Sequence, residues 1–135
     1  MSLITLKDLS LARSAPLFAG LDLAIAKGDR LGLVAANGRG KSSLLRILAG
    51  EEEASSGTLT RSRGLVTAFA PQDPPERLLP MSLYDAVLDA LDAEAAETES
   101  WRVDVLLDDL MVEESLRARA VGSLSGGWQR TMLLA

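Results

Sequence analysis

One segment constrains this chain more than any other: Ala35-Ala36-Asn37-Gly38-Arg39-Gly40-Lys41-Ser42, set between an apolar run and a helical pattern. Before it, Leu31, Leu33 and Val34 predict a short, buried strand. After it, Leu44, Leu45, Ile47 and Leu48 fit the stripe of a helix, with Gly50 where a C-cap belongs. A helix start exposes backbone N–H groups that have no intrahelical acceptor. Gly38 and Gly40 lack a Cβ, so the backbone can wrap closely around an anion, and the positive end of the helix dipole adds to the attraction. Lys41 supplies a full charge, Ser42 a hydroxyl for a metal ion, and Ser43 a second contact to the anion. The spacing matches the phosphate-loop pattern G-x-x-x-x-G-K-S/T, with Ala35 at the first glycine position. If that position requires a positive φ, alanine costs about 1 to 2 kcal/mol relative to glycine; at negative φ it costs little.

Around this loop the rest of the chain reads as strands first and helices later. Leu3, Ile4, Leu6, Leu9 and Leu11 predict an N-terminal strand, interrupted by Lys7 and Asp8. Leu21, Leu23 and Ile25 alternate as a second strand that ends at Lys27, Gly28 and Asp29. Thr58 to Arg61 and Leu65 to Ala70 are expected to pair as a hairpin across Ser62, Arg63 and Gly64, and the prolines at 71, 74 and 75 close it. Ser82 caps a predicted helix running to Leu91, and a second helix includes Trp101, Val105, Leu106 and Leu110. A short third covers Glu113 to Leu116. The piece from Asp92 to Ser100 reads as a solvated helix or connector, and Trp101 and Tyr84 as core residues. The expected layout is a β subdomain with the phosphate loop over 1–75, a helical lobe over 76–124, and the start of a further helix over 125–135.

Composition removes several kinds of chemistry. With 135 residues the chain has room for one domain, and 47% hydrophobic residues suit a globular one. Fourteen basic against 19 acidic residues leave a net charge of −5, the wrong sign for a chain that coats nucleic acid. The absence of cysteine and histidine excludes disulfides, thiolate or imidazole metal sites, and a histidine general base. The N-terminus has no continuous apolar stretch, so neither a signal peptide nor a membrane span is expected there, and a cytoplasmic location fits best.

A second glycine segment, Leu124-Ser125-Gly126-Gly127-Trp128-Gln129-Arg130, combines a serine N-cap with two glycines ahead of a helix. That arrangement offers a hydroxyl and helix N–H groups to an anion. Together the two segments resemble the ATP-binding cassette (ABC) family, with N-G-R-G-K-S-S-L-L as its Walker A loop and L-S-G-G-W-Q-R as its signature motif. Gln72, in F-A-P-Q-D-P, resembles the family's Q-loop. Trp128 after S-G-G, the run G-R-G-K-S-S-L-L-R-I-L-A-G, and P-L-F-A-G-L-D-L-A-I-A-K-G-D-R-L-G-L-V look most like the first cassette of an ABC-F protein, a class that acts on the ribosome.

The resemblance implies an α/β fold: a P-loop NTPase-type nucleotide-binding domain fragment with an antiparallel β subdomain and a small α-helical lobe. It implies ATP and Mg²⁺ as cofactors, with Asn37, Gly38, Arg39, Gly40, Lys41, Ser42 and Ser43 around the phosphates. Ser42 and Gln72 would stand at the metal, Gln72 also as an auxiliary catalytic residue. Ser125, Gly126 and Gly127 would reach the nucleotide held by a second cassette. The partner is then a second cassette together with the ribosome in the ABC-F case, or a membrane subunit in the transporter case; a nucleotide-binding fragment without turnover is a further alternative. The family's Walker B strand and switch histidine have no match up to Ala135, so this stretch alone is expected not to hydrolyse ATP. The strand at Leu31, without its Walker B neighbour, is expected to make the chain self-associate. The family also commonly stacks an aromatic ring on adenine. Leu9 to Arg13, the corresponding stretch, contains none, and Phe18 is expected in the core.

Overall fold

The computed structural model describes all 135 residues, Met1 to Ala135, which divide into two compact units, Met1–Phe69 and Ala70–Ala135. The first is built on a three-stranded antiparallel sheet in the order β2-β1-β3: β1 is Ser2–Ala12, β2 Pro16–Ala26 and β3 Ser56–Arg61. Helix α1, Lys41–Ala49, lies between β2 and β3 in sequence and buries Leu44 and Ile47 with Ile4, Leu6, Leu9 and Leu11 of β1 in one apolar cluster. Phe18 packs against this cluster, as expected from the sequence.

The apolar spacing of β1 explains its shape. Residues 4 and 6 face the core, and so do 9 and 11; a flat strand would turn the second pair outward. The register moves from Leu6↔Leu23 to Leu9↔Leu21, so one extra residue is accommodated on β1. Asp8 takes up that irregularity at φ 48°, its N–H donating to the Asp22 carboxylate at 2.7 Å. On the other side β3 answers with Gly57 at φ 91°, where a Cβ would lie 2.3 Å from the Asp8 carbonyl oxygen. Only glycine fits there.

Two expected elements are not formed. Leu31 to Val34 make no strand, and Leu31, Leu33 and Val34 are exposed. A buried parallel strand needs hydrogen-bonded neighbours on its flanks, and no strand in this chain pairs with that run. The hairpin also fails. β3 pairs with β1, Leu6 opposite Leu59 and Ile4 opposite Arg61, while 65–70 form no strand. Leu59 thereby joins the β1 cluster, a larger apolar surface than a two-stranded hairpin offers.

The second unit is helical: α2 Leu83–Leu88, α3 Ala93–Thr98, α4 Trp101–Asp109, α5 Glu114–Arg117 and α6 Gly126–Leu134. Ser82 caps α2 by accepting from the Asp85 N–H, as predicted, although the helix stops at Leu88, short of Leu91. The segment from Asp92 to Ser100 is indeed a solvated helix, α3, with no buried residue and an Asp92 cap. Leu83, Val87, Val103, Leu107, Val121 and Met132 are core residues of this unit. Trp101 is not: it stands 60% exposed, because α4 turns Val103 and Leu107 inward and leaves 101 and 105 on the opposite side of the helix. Tyr84 is half-buried.

Helix α4 ends unusually. The Met111 N–H donates to the Asp108 carbonyl and the Val112 N–H to that of Leu107, both at 2.9 Å, the paired bonds of a Schellman turn. Val112 and Leu107 are buried together. The left-handed residue of such a turn is ordinarily glycine, yet here it is Met111, at φ 54° and 84% exposed. A side chain at that conformation costs about 1 kcal/mol.

Candidate functional site

The phosphate-loop residues come together at the start of α1. Gly38 has φ 78° and Gly40 φ 88°, so both adopt the conformation that glycine tolerates without strain. Around Gly38 no atom lies within 4 Å of where a Cβ would stand; at Gly40 a Cβ would press on Leu17 and Phe18 of β2, at 3.1 and 3.2 Å. The two glycines therefore do different work: Gly38 opens the loop and Gly40 seats it on the sheet. Gly40 also occupies the N-cap position, and no side chain caps α1. The N–H groups of Lys41, Ser42 and Ser43 find no acceptor in the chain, which leaves three aligned donors at the positive end of a helix.

Side chains complete this cradle. The Lys41 ammonium donates to the Ala35 carbonyl and so closes the loop across its mouth. Ala35 itself is not at positive φ, so the missing first glycine carries no backbone strain. The Ser43 hydroxyl accepts from the Arg13 guanidinium at 3.3 Å, and Arg13 also pairs with Glu52 at 2.7 Å. Arg13 lies in the stretch scanned for an aromatic ring, and only a search for charge rather than for a ring would have found it. Asn37, Arg39 and Ser42 are exposed, and Arg39 forms no ion pair. At the other end of α1, Arg61 donates to the carbonyls of Ile47 and Leu48, fixing the helix from β3.

The remaining site residues fall in the second unit. Ser125 caps α6, accepting from the Trp128 N–H at 3.4 Å, and Ser125, Gly126 and Gly127 are all exposed. Neither glycine has a positive φ, and no atom crowds a Cβ at Gly126. The amide of Gln129 donates to the Val121 carbonyl, which ties the motif to the lobe. Met132 is buried, and Trp128 and Leu133 pack against the same apolar cluster. Gln72 is exposed, beside Arg130 and Leu133. Elsewhere in the lobe a shallow depression lies between Tyr84, Asp104, Asp108 and Arg117. Burial, together with the neighbouring Asp104 carboxylate, pushes the Tyr84 phenol above its usual range, so it stays protonated as a donor.

No cluster of three or more acidic side chains in the chain is arranged to hold a metal ion by itself. A hard cation could still be held by the Ser42 hydroxyl with phosphate oxygens of a ligand, which suits Mg²⁺, an ion that keeps few protein ligands.

Three aligned N–H groups, two glycines at positive φ and a lysine over the loop gather at the start of α1 in an arrangement that suits an anion, and comparison with known proteins gives the chain a family. The family model for the ABC transporter matches residues 18–135. The chain belongs to that family. Among ABC relatives, the Escherichia coli ATP-binding protein Uup is 38% identical over 168 residues, covering 99% of this chain and 26% of Uup. The zinc import ATP-binding protein ZnuC of Magnetococcus marinus is 32% identical over 115 residues, covering 84% of this chain and 42% of ZnuC. This ABC chain thus spans less than half the length of either relative. Among solved structures, cbiO1 of Clostridium perfringens, part of an ABC transporter complex, superposes with a TM-score of 0.73 at 22% identity, over 98% of this chain and 59% of that one. The fold is that of an α/β ABC nucleotide-binding domain, and the family generally binds ATP with Mg²⁺. No helix of the chain is long and apolar enough to cross a membrane.

Proposed function

We propose that the chain binds MgATP through the loop from Asn37 to Ser43, as part of an ABC ATPase. The observation that carries this reading is the uncapped start of α1, with three unpartnered N–H groups beside two positive-φ glycines. Lys41 would leave the Ala35 carbonyl for the β- and γ-phosphates, and the exposed Ser42 hydroxyl would face Mg²⁺. Arg13 holds Ser43 as an acceptor, which leaves the Ser43 O–H free to donate to a phosphate oxygen. Gln72 would serve as an auxiliary ligand to metal or water, and Ser125, Gly126 and Gly127 would meet the nucleotide of a second cassette. Lys41→Ala should weaken ATP binding by about 1.5 to 3 kcal/mol, the value of a charge-assisted contact. Calorimetry giving equal affinities for the two proteins would remove the loop from this role.

For the parent protein we propose an ABC-F translation factor acting on the ribosome in the cytoplasm. Trp128 after S-G-G and the similarity to Uup, an ABC-F protein, support it. A transporter ATPase that works on a membrane subunit is the second reading, favoured by the similarity to ZnuC. A second cassette is required in both. Self-association of this chain is supported by the exposed apolar run containing Leu31, Leu33 and Val34. Light scattering should find a dimer or larger species, unchanged by MgATP; a monomer at tens of micromolar would refute it.

A further inference from the structure

The turn between β1 and β2 presents one cation to the start of α1. Arg13 donates through Nη2 alone, to the Ser43 hydroxyl at 3.3 Å and to one oxygen of the Glu52 carboxylate at 2.7 Å. A guanidinium has five N–H groups, so those on Nε and Nη1 are left without an acceptor in the chain, and the ion pair fills only half of the fork. The backbone beneath it is fixed. The Arg13 N–H donates to the Ala15 carbonyl and the Ser55 N–H to that of Ser10, while the Ser55 hydroxyl bonds both the N–H and the carbonyl of Ala12. Arg61 and Arg117, by contrast, commit their donors to main-chain carbonyls and so staple the fold. The Arg13 side chain stays 56% exposed.

Its position is electrostatically costly. A cation is favoured at the C-terminal end of a helix, whereas Arg13 stands at the positive end of α1, near Lys41 and the unpaired N–H groups of residues 41–43. Glu52 offsets that repulsion from inside the chain. An incoming anion would offset it better, and with more than one oxygen.

We infer that Arg13 is a nucleotide-binding residue of the proposed site: its guanidinium fork exchanges the single Glu52 oxygen for two oxygens of the phosphate next to the nucleoside. The inference rests on the reading of residues 37–43 as a nucleotide loop. Ser43 lies two residues beyond Lys41, about 200° around the first turn of α1, so the two cations approach the helix start from different sides. With Lys41 on the β- and γ-phosphates, the α-phosphate is the anionic group left for the Ser43 side. A planar fork matches two oxygens of one phosphate, which an ammonium group does not. Recognition at this end is then of a phosphate ester, without selection of the base.

Calorimetry on the whole 135-residue chain with MgATP, MgADP and MgGTP tests this. Arg13→Ala should weaken all three by the same factor, about tenfold, because the α-phosphate is common to them. Arg13→Lys keeps the charge without the fork and should stay about fivefold weaker than the native chain. Glu52→Gln should bind all three about threefold tighter, since the carboxylate competing for Arg13 is gone. The ion pair is largely exposed on its arginine side, so each variant should melt within about 2 °C of the native chain. Full binding by Arg13→Ala beside a loss in Lys41→Ala would overturn this inference and leave the nucleotide reading intact. Full binding by both variants, or none by the native chain, would remove the reading as well. A loss that spares ADP would move Arg13 to the terminal phosphate, and one that spares GTP would move it to the base; either overturns the assignment. So would a Glu52→Gln loss equal to that of Arg13→Ala, which would make Arg13 only a staple for the turn at residues 51–55.

Discussion

Helices α1 and α6 both begin at a glycine-bearing segment, but their first turns are built in opposite ways. At α1 the glycines are forced: Gly38 and Gly40 have positive φ, no side chain caps the helix, and its first N–H groups stay unpaired. At α6 the fold does not require them. Gly126 and Gly127 have ordinary dihedrals, the space around Gly126 is open, and Ser125 caps the helix from within. The first start is shaped by backbone geometry and left uncapped. The second is closed by its own serine and carries glycines that its own backbone does not require.

The largest expected effect tests the first half of this contrast. Gly40→Ala should destabilise the first unit by roughly 2 kcal/mol, since it meets both an unfavourable φ and the side chains of Leu17 and Phe18. Gly38→Ala meets only the φ term and should cost about 1 kcal/mol. Urea titration of the two variants separates them, and equal losses would show that the β2 contact contributes nothing. At α6 the sign should reverse. Gly126→Ala should stabilise the second unit by about 0.5 kcal/mol in the same titration. A destabilised variant would mean that α6 itself needs the glycine. The smallest effect lies at the edge of the phosphate loop. Ala35→Gly should lose about 0.5 kcal/mol of stability through a freer unfolded chain, with no gain in ATP affinity, because the residue is not at positive φ. Tighter ATP binding by this variant would show that the loop changes conformation at residue 35 when phosphate enters.

How much of this was legible depended on whether the information is local. The α1 boundaries, the Gly50 cap, the Ser82 and Ser125 caps and the tight glycine turn before α1 each follow from a few consecutive residues, and each was readable. Pairing was not. Thr58 to Arg61 chose β1 over a neighbour four residues away because β1 already displayed an apolar face, a fact about residues more than fifty positions earlier. Leu31 to Val34 has the composition of a strand, but a strand also needs a partner, and a run of apolar letters does not encode one. Trp101 was misplaced for a third reason. Its apolar neighbours on α4 belong to a different side of the helix, and the phase of so short a helix is set by Val103 and Leu107. Arg13 escaped notice because its role is defined by Ser43 and Glu52, thirty and more residues away.

The irregularity at Asp8 has a consequence for how the sheet finds its alignment. A uniform β1 could slide past β2 or β3 by two residues and keep the same faces inward, so several alignments would compete. The extra residue removes that freedom, since only one alignment brings the Asp22 carboxylate to the Asp8 N–H and the bare Cα of Gly57 to the Asp8 carbonyl. Shifted by two, β3 would bring Ser55 or Leu59 to the place that admits no Cβ. Asp8, Asp22 and Gly57 thus act as a key cut for a single lock position, excluding misaligned sheets at the stage when the strands first meet.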